Sequence, residues 1–155
     1  MIFCYDNGMS VEIKFIKAHP DAVLPTQNTK HITCGDSGYD VYSISDTIIE
    51  AHSTKKVNIG LEIAHITPNY WIRVESRSGL FFKKGITAFN GIIDNSYRGE
   101  LGIALINNTD IAYRVNKFDR IAQLVVYKLE SAEISWSDIK EETSRGDKGF
   151  GSSGF

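Results

Sequence analysis

The sequence is short of cysteine, of long apolar runs and of excess charge. Its two cysteines, Cys4 and Cys34, have neither the spacing of a metal site nor the number that a disulfide framework needs, so a reducing compartment, the cytoplasm, is expected. No apolar run is long enough to cross a bilayer, and no basic segment followed by an apolar one opens the chain. We therefore expect no membrane partner and no processing.

Neither sign of charge dominates, because 17 lysines and arginines oppose 19 aspartates and glutamates. This balance gives no reason to expect a nucleic-acid polymer as partner, whereas a small anionic ligand needs only a few local cations. No Gly-x-Ser-x-Gly elbow is present, which disfavours acyl chemistry on a serine nucleophile. Metal ligands are disfavoured as well, since tight spacing is lacking among His19, His31, His52 and His65.

The chain of 155 residues has the length of one domain and contains no long helical period. Apolar and polar residues alternate over 11–15 and 57–63, and further β-rich runs cover 70–75, 101–106 and 121–129. Many short strands separated by turns predict an all-β fold of the sandwich, jelly-roll or barrel kind. The best helix candidate is brief, residues 78–84, with Ser78 as the N-cap and Gly85 closing the last turn.

Composition changes after Lys140, which divides the chain into a β-rich core, 1–140, and a mobile arm, 141–155. A terminus without a role is one interpretation of the arm. We favour an arm that closes over a ligand, because Arg145 and Phe150 stand among glycines and serines. Glycine amides and serine hydroxyls bind phosphate, arginine adds charge, and an aromatic ring can stack on a base.

Residues 75–80 place a guanidinium, a hydroxyl and a glycine amide at the start of the predicted helix. This arrangement suits an anion, but taken alone it is more often an ordinary capped turn with a surface arginine. Two other polar residues have no role that the local sequence decides. Gln123 lies between apolar neighbours in a predicted strand, so its side chain needs a partner, either a backbone group or a ligand. Asp40 belongs to a segment that could be merely a loop leading into a strand.

The segment 89–100 contains the most distinctive chemistry. Asn90 and Gly91 favour a hairpin, and Asp94 follows two isoleucines, so partial burial would hold its carboxylate as a base for water. Tyr97 offers a flat wall for a sugar. The alternative is that Asp94 merely starts a turn and Tyr97 belongs to the core.

Taken in order, five segments closely resemble the five motifs of the trimeric dUTPase family. They are Ser37-Gly38-Tyr39-Asp40, Arg77-Ser78-Gly79, residues 91–99, Arg120-Ile121-Ala122-Gln123-Leu124 and residues 145–154. The resemblance implies a jelly-roll-like subunit and a homotrimer whose active sites are shared between subunits. It also implies hydrolysis of dUTP to dUMP and pyrophosphate, which limits uracil incorporation into DNA and supplies dUMP for dTMP synthesis.

The resemblance assigns Asp94 as the catalytic residue that activates water, with Asp40 and Arg120 in support. Tyr97 would pack against deoxyribose, Phe150 would cover the uracil, and the Asn90 hairpin and Gly102 would read the uracil edge through backbone groups. The other implied substrate-binding residues are Arg77, Ser78, Gly79, Ile93, Gln123, Arg145, Gly151, Ser152 and Ser153. Two departures from the family pattern are the pair Asp147-Lys148 in the arm and a short segment 85–94.

The implied cofactor is Mg²⁺, carried on the substrate phosphates and water rather than by an identified protein ligand. Two alternatives to the dUTPase interpretation are weighed. A dCTP deaminase of the same superfamily is disfavoured by residues 92–97. A non-catalytic nucleotide-binding regulatory protein is disfavoured by the presence of Asp94, Tyr97 and the whole arm.

Overall fold

The computed structural model describes residues 11–28, 36–144 and 146. Its elements in chain order are β1 (Ile13–Lys17), β2 (Tyr39–Tyr42), β3 (Thr47–Ile49), β4 (Thr54–Ile66), β5 (Tyr70–Glu75), α1 (Ser78–Lys84), β6 (Ile86–Ala88), β7 (Ile92–Ile93), β8 (Glu100–Asn107), β9 (Tyr113–Val115) and β10 (Arg120–Lys128). The predicted all-β fold with one short helix is confirmed. In the described part of the chain, no helix is long and apolar enough to span a membrane.

The strands form two four-stranded antiparallel sheets and a small two-stranded one. The first sheet has the order β1-β4-β8-β6, the second has the order β2-β10-β5-β7, and β3 pairs with β9. The buried apolar cluster takes side chains from both large sheets, with Ile63 and Leu105 from the first and Ile72 from the second completely buried. The core therefore lies between two sheets, as in a sandwich or jelly roll.

The long strand β4 shows why alternation is a reliable signal. Val57, Ile59, Leu61 and Ile63 are all buried, because side chains two apart lie on one face of a strand. The pairing with β8 shifts register between Asn58 and Glu62, and Gly60 lies in the shifted stretch with a φ of 67°. A Cβ built on Gly60 would be 2.7 Å from the Cβ of His19, so the bulge needs glycine for both conformation and space.

Two local predictions are wrong. The N-cap of α1 is Arg77, with φ −90° and ψ 124° and no side-chain cap, whereas Ser78 is the first helical residue. Asn90 and Gly91 do not turn a hairpin, because β6 before them pairs with β8 and β7 after them pairs with β5. The segment instead carries the chain from one sheet to the other, and tertiary pairing overrides the local turn preference.

Candidate active site

Asp40 joins two arginines that are far apart in sequence. Its carboxylate oxygens lie 2.8 Å from Nε of Arg77 and 3.1 Å from Nη1 of Arg120. Arg77 also donates from Nη1 to the backbone oxygen of Arg120 at 3.2 Å. Asp40 has a side-chain exposure of 19%, so this partly buried carboxylate fixes the direction of both guanidinium groups. Arg77 is therefore a held cation rather than a loose surface arginine.

Sheet order explains how these residues meet. Strand β10 lies between β2, which carries Asp40, and β5, which leads into Arg77. Gln123 on β10 is opposite both Asp40 and Glu75, and its Nε2 donates to the backbone oxygen of Ser76 at 3.0 Å. The partner that the Gln123 side chain needs is thus a backbone carbonyl group of this chain.

Gly38 makes room for the Gln123 side chain. A Cβ built on Gly38 would lie 2.2 Å from Oε1 of Gln123, closer than any real contact. Gly38 belongs to the first of the five motifs, but the resemblance assigns it no role. Its function is spatial, and only the pairing of β2 with β10 shows it.

A cavity of about 220 Å³ lies beside this cluster and is lined by Arg77, Arg120, Asp119 and Tyr113, among others. Burial, followed by the charge of Asp119, raises the pKa of the Tyr113 phenol. Tyr113 therefore keeps its proton and can act as a donor beside the two cations. The sequence patterns did not indicate Tyr113.

Ser78 and Gly79 are exposed at the start of α1, directly after Arg77. A Cβ built on Gly79 would meet nothing within 4 Å, so packing within this chain does not demand glycine there. An accessible backbone at this position suits close approach by a ligand.

A second cavity, of about 210 Å³, brings together four residues that the sequence predicted for the site. Asp94, Ile93, Tyr97 and Gly102 line it, and Phe89 lines it as well. Asn90 does not, although Gly91 beside it does. Phe89 is a lining residue that the sequence patterns missed.

Asp94 is exposed in the single chain, so the partial burial that the sequence predicted is wrong for the single chain. The reason is the shortness of β7, which pairs with β5 through only Ile92 and Ile93. Ile93 packs against the core, whereas Ile92 is 67% exposed and gives Asp94 no apolar cover. Asp94 therefore lines the cavity as an exposed residue.

Tyr97 is 45% exposed, which contradicts its placement in the core. Its hydroxyl donates to the backbone oxygen of Glu100 at 3.2 Å. The ring lies directly over Gly99, where a Cβ would be 2.5 Å from the tyrosine oxygen and 2.8 Å from Cζ. Glycine at position 99 thus leaves room for the Tyr97 ring, which lines the cavity.

Asn95 anchors the turn that holds Asp94 and Tyr97. Its Nδ2 is 3.0 Å from the backbone oxygen of Thr67 and 2.9 Å from that of Tyr70. The backbone N–H of Tyr97 donates to the oxygen of Asp94 at 3.0 Å, which closes the turn. The alternative interpretation, that Asp94 begins a turn, is therefore correct in this respect. The same turn places Asp94 and Tyr97 in the lining of the cavity.

The two cavities share no lining residue within the part of the chain that the structure describes. One contains the carboxylate and the aromatic wall, and the other contains the two arginines. The predicted arm residues Arg145, Phe150, Gly151, Ser152 and Ser153, together with the Asp147-Lys148 pair, lie outside the described residues.

Comparison with known proteins decides the family. The model of the dUTPase family matches residues 25–154. The chain belongs to the dUTPase family. A family member from Helicobacter pylori (strain Shi470), a deoxyuridine 5'-triphosphate nucleotidohydrolase, is 40% identical over 146 residues, covering 93% of this chain and 97% of its own. A protein of the same description from Nautilia profundicola is 38% identical, with 93% and 99% covered.

Solved dUTPase structures share the fold. A mutant of the Staphylococcus bacteriophage 80alpha dUTPase with dUpNHpp has a TM-score of 0.82 and 26% identity, over 93% of this chain and 99% of that one. A mutant dUTPase from phage phi11 of S. aureus has a TM-score of 0.74 and 23% identity over 84% and 99% of the two chains. Its structure is described as revealing the coordination of a structural Mg(II) ion.

Proposed function

We propose that this chain hydrolyses dUTP to dUMP and pyrophosphate, by attack of water on the α-phosphorus. The observation that carries the proposal is the cavity that Asp94 shares with the flat face of Tyr97, in a member of the dUTPase family. In a cell this reaction limits uracil incorporation into DNA and supplies dUMP for dTMP synthesis. The cytoplasm is the compartment we propose for it.

Asp94 is the proposed general base. As the oxygen of water bonds to the α-phosphorus, its proton passes to the Asp94 carboxylate, and the bond from the α-phosphorus to the bridging oxygen breaks. Pyrophosphate leaves with that oxygen. The Tyr97 ring packs against the deoxyribose, and a ribose 2′-hydroxyl would meet the ring. Backbone groups near Asn90 and at Gly102 bind the uracil edge. Ile93, which lines the same cavity, also contacts the substrate.

The arginine cluster is proposed to bind the triphosphate. Asp40 and Arg120 hold Arg77 in place, so its remaining donors need little reorganisation when negative charge develops on the leaving group. Ser78 and Gly79 add donors at the start of α1, and Gln123 helps to place phosphate or water. A carboxylate that orients two cations serves electrostatic stabilisation without taking part in proton transfer.

Mg²⁺ fits this site as an ion that the substrate phosphates bind. No cluster of three or more His, Cys, Asp or Glu side chains that could hold a metal occurs among the described residues, and the Asp40 carboxylate already pairs with two arginines. Phosphate oxygens and water are therefore the proposed ligands, in keeping with the preference of Mg²⁺ for them. When bound, the ion would neutralise charge on the phosphates.

A homotrimer with shared sites is the proposed assembly. It would bring the Asp94 cavity of one subunit to the arginine cluster of another, since the two share no lining residue in one described chain. Residues 129–140 are exposed throughout, with Ile134 at 92% and Trp136 fully exposed, and such apolar surface suits contact with another copy.

The arm 141–155 is proposed to close over the bound substrate. Arg145, Ser152 and Ser153 would contact the triphosphate, Gly151 would allow close approach, and Phe150 would cover the uracil. Deleting the residues after Lys140 should lower the steady-state rate of dUTP turnover while light scattering still reports a trimer. An unchanged rate would remove the arm from the mechanism.

The decisive experiment offers dUTP, dCTP, dTTP and UTP to the protein with Mg²⁺, and measures pyrophosphate and ammonia. We expect pyrophosphate from dUTP alone. Ammonia from dCTP without pyrophosphate from dUTP would indicate a deaminase. Nucleotide binding without either product would indicate a regulatory protein.

Asp94→Asn should keep the affinity for the imido analogue dUpNHpp and lose about 10²-fold or more in kcat, because it removes the base. Asp110→Asn is the matched control. Asp110 is an exposed carboxylate that pairs with His52 at 2.7 Å and lines neither cavity of the site, so its loss should leave kcat unchanged. Near-normal kcat in Asp94→Asn would refute the assigned base.

A further inference from the structure

Phe89 is an apolar side chain with no place in the buried core. It lies between β6 and β7, is 61% exposed, and does not belong to the buried core cluster or to the partly buried residues packed against it. It lines the same cavity as Asp94 and Tyr97. The motif that resembles the family begins at Gly91, so Phe89 lies outside the five family motifs and received no role from the sequence.

The backbone on both sides of Phe89 is fixed. Its N–H donates to the oxygen of Ala104 on β8 at 2.8 Å, and its own oxygen accepts from the N–H of Gly91 at 2.8 Å. The oxygen of Gly91 in turn accepts from the N–H of Val74 on β5 at 2.9 Å. These bonds tie Phe89 to both sheets, so the ring is presented from a rigid base although much of it is exposed.

The Phe89 ring lies beside Gly91, and both residues line the cavity. A Cβ built on Gly91 would be 3.8 Å from Cδ1 of Phe89, which is ordinary van der Waals contact. Gly91, having no side chain, leaves the face of the ring open to the cavity that both residues line. Two aromatic residues, Phe89 and Tyr97, thus line one small cavity.

We infer that Phe89 is a substrate-contacting residue whose ring forms a second aromatic wall of this cavity and stacks on the pyrimidine of the bound deoxynucleotide. The inference rests on the proposed function, which places the sugar against Tyr97 and leaves the base to the part of the cavity near Phe89 and Gly102. A pyrimidine has flat π-faces, and an exposed ring on a rigid backbone can cover one of them at little entropic cost.

Stacking of this kind does not change as the phosphorus reacts, so it acts equally on bound substrate and transition state. Phe89 should therefore affect KM and not kcat. This pattern separates the inference from a merely structural role, in which loss of the side chain would disturb Asp94 and lower kcat.

The test compares Phe89→Ala, Phe89→Leu and Phe89→Tyr in steady-state dUTP turnover. We expect KM to rise about tenfold in Phe89→Ala and somewhat less in Phe89→Leu, with kcat within about twofold, whereas Phe89→Tyr keeps the ring and the KM. The control is Phe82→Ala, because Phe82 on α1 is 82% exposed and lines neither cavity of the site. A KM within twofold of the parent in Phe89→Ala would overturn the inference, as would a leucine variant indistinguishable from tyrosine.

Calorimetric titration with dUMP distinguishes this inference from the proposed function. If the parent protein binds dUMP but does not hydrolyse dUTP, the proposed function fails, and tighter binding of dUMP by the parent than by Phe89→Ala still supports the aromatic wall. If the parent turns over dUTP and Phe89→Ala binds dUMP equally well, only the aromatic wall fails. A parent that neither binds dUMP nor hydrolyses dUTP overturns both.

Discussion

At the scale of single residues, two glycines leave room for the side chains of neighbouring residues. Gly38 and Gly99 have no positive φ among the described backbone angles, yet a Cβ on either would collide with a side chain that is proposed for the site. Gly38 admits Gln123, and Gly99 admits the ring of Tyr97. Both glycines therefore set where a functional group lies, which is a constraint on space rather than on backbone conformation.

Gly38→Ala should lower kcat/KM for dUTP by about tenfold, because the new methyl group displaces the Gln123 amide from its present position. Steady-state kinetics measure the loss. A double-mutant cycle with Gln123→Ala supplies the control, since adding Gly38→Ala to that variant should cost nothing further. Additive losses would mean that Gly38 acts on something other than Gln123.

At the scale of elements, asparagine side chains attach connecting segments to strand ends. Asn107, which is 1% exposed, donates from Nδ2 to the backbone oxygens of Ile49 and Ile111 at 3.1 and 2.8 Å. Asn95 does the same for the turn before β8 and the turn between β4 and β5. A short side chain with two donors thus replaces the hydrogen bonds that a strand partner would supply.

Asn95→Ala should lower the free energy of unfolding by about 1–3 kcal/mol, because half-buried carbonyl groups lose their donor. It should also reduce kcat, since the turn holding Asp94 loses its anchor. Urea unfolding and dUTP turnover measure the two effects. Asn108→Ala is the comparison, because exposed Asn108 bonds the backbone oxygen of Gly85 away from the Asp94 cavity, and it should keep kcat. Loss of stability with unchanged kcat in Asn95→Ala would contradict the anchoring role.

At the scale of the whole molecule, the separation of the two cavities makes assembly part of the proposed chemistry. The proposed base and the two proposed aromatic walls line one cavity, the two arginines line the other, and within the described residues the two cavities share no lining residue. In the proposed trimer, each cavity is half of a site that is completed across a subunit interface.

Mixed trimers of Asp94→Asn and Arg77→Ala should therefore recover part of the activity that each variant lacks. When the two are unfolded together and refolded, some interfaces combine an intact Asp94 with an intact Arg77 from different subunits. Pyrophosphate release measures the recovery. Mixing Asp94→Asn with the double variant Asp94→Asn/Arg77→Ala provides no intact Asp94 and should recover nothing. No recovery in the first mixture, despite trimers by light scattering, would place the whole site in one chain.

Sequence by itself determined the strands at 57–63, 70–75, 101–106 and 121–129, the helix and the family. Alternation is a property of nearby residues and motif order is a property of the linear chain, so both can be recognised without knowledge of the fold. Short strands such as β3 (Thr47–Ile49) and β9 (Tyr113–Val115) carry too few residues for a period, and each depends on its partner.

Only the tertiary structure decided which residues share a cavity. Asn90 and Gly91 read as a hairpin because turn preference is local, yet strand pairing sends the flanking residues to different sheets. The sequence gives no role to Phe89, Gly38 or Tyr113, because what each residue does depends on the residues around it in the folded chain. Sequence motifs thus indicated the groups proposed to react, whereas the space around Gln123 and Arg77 depends on contacts that form only when β10 lies between β2 and β5.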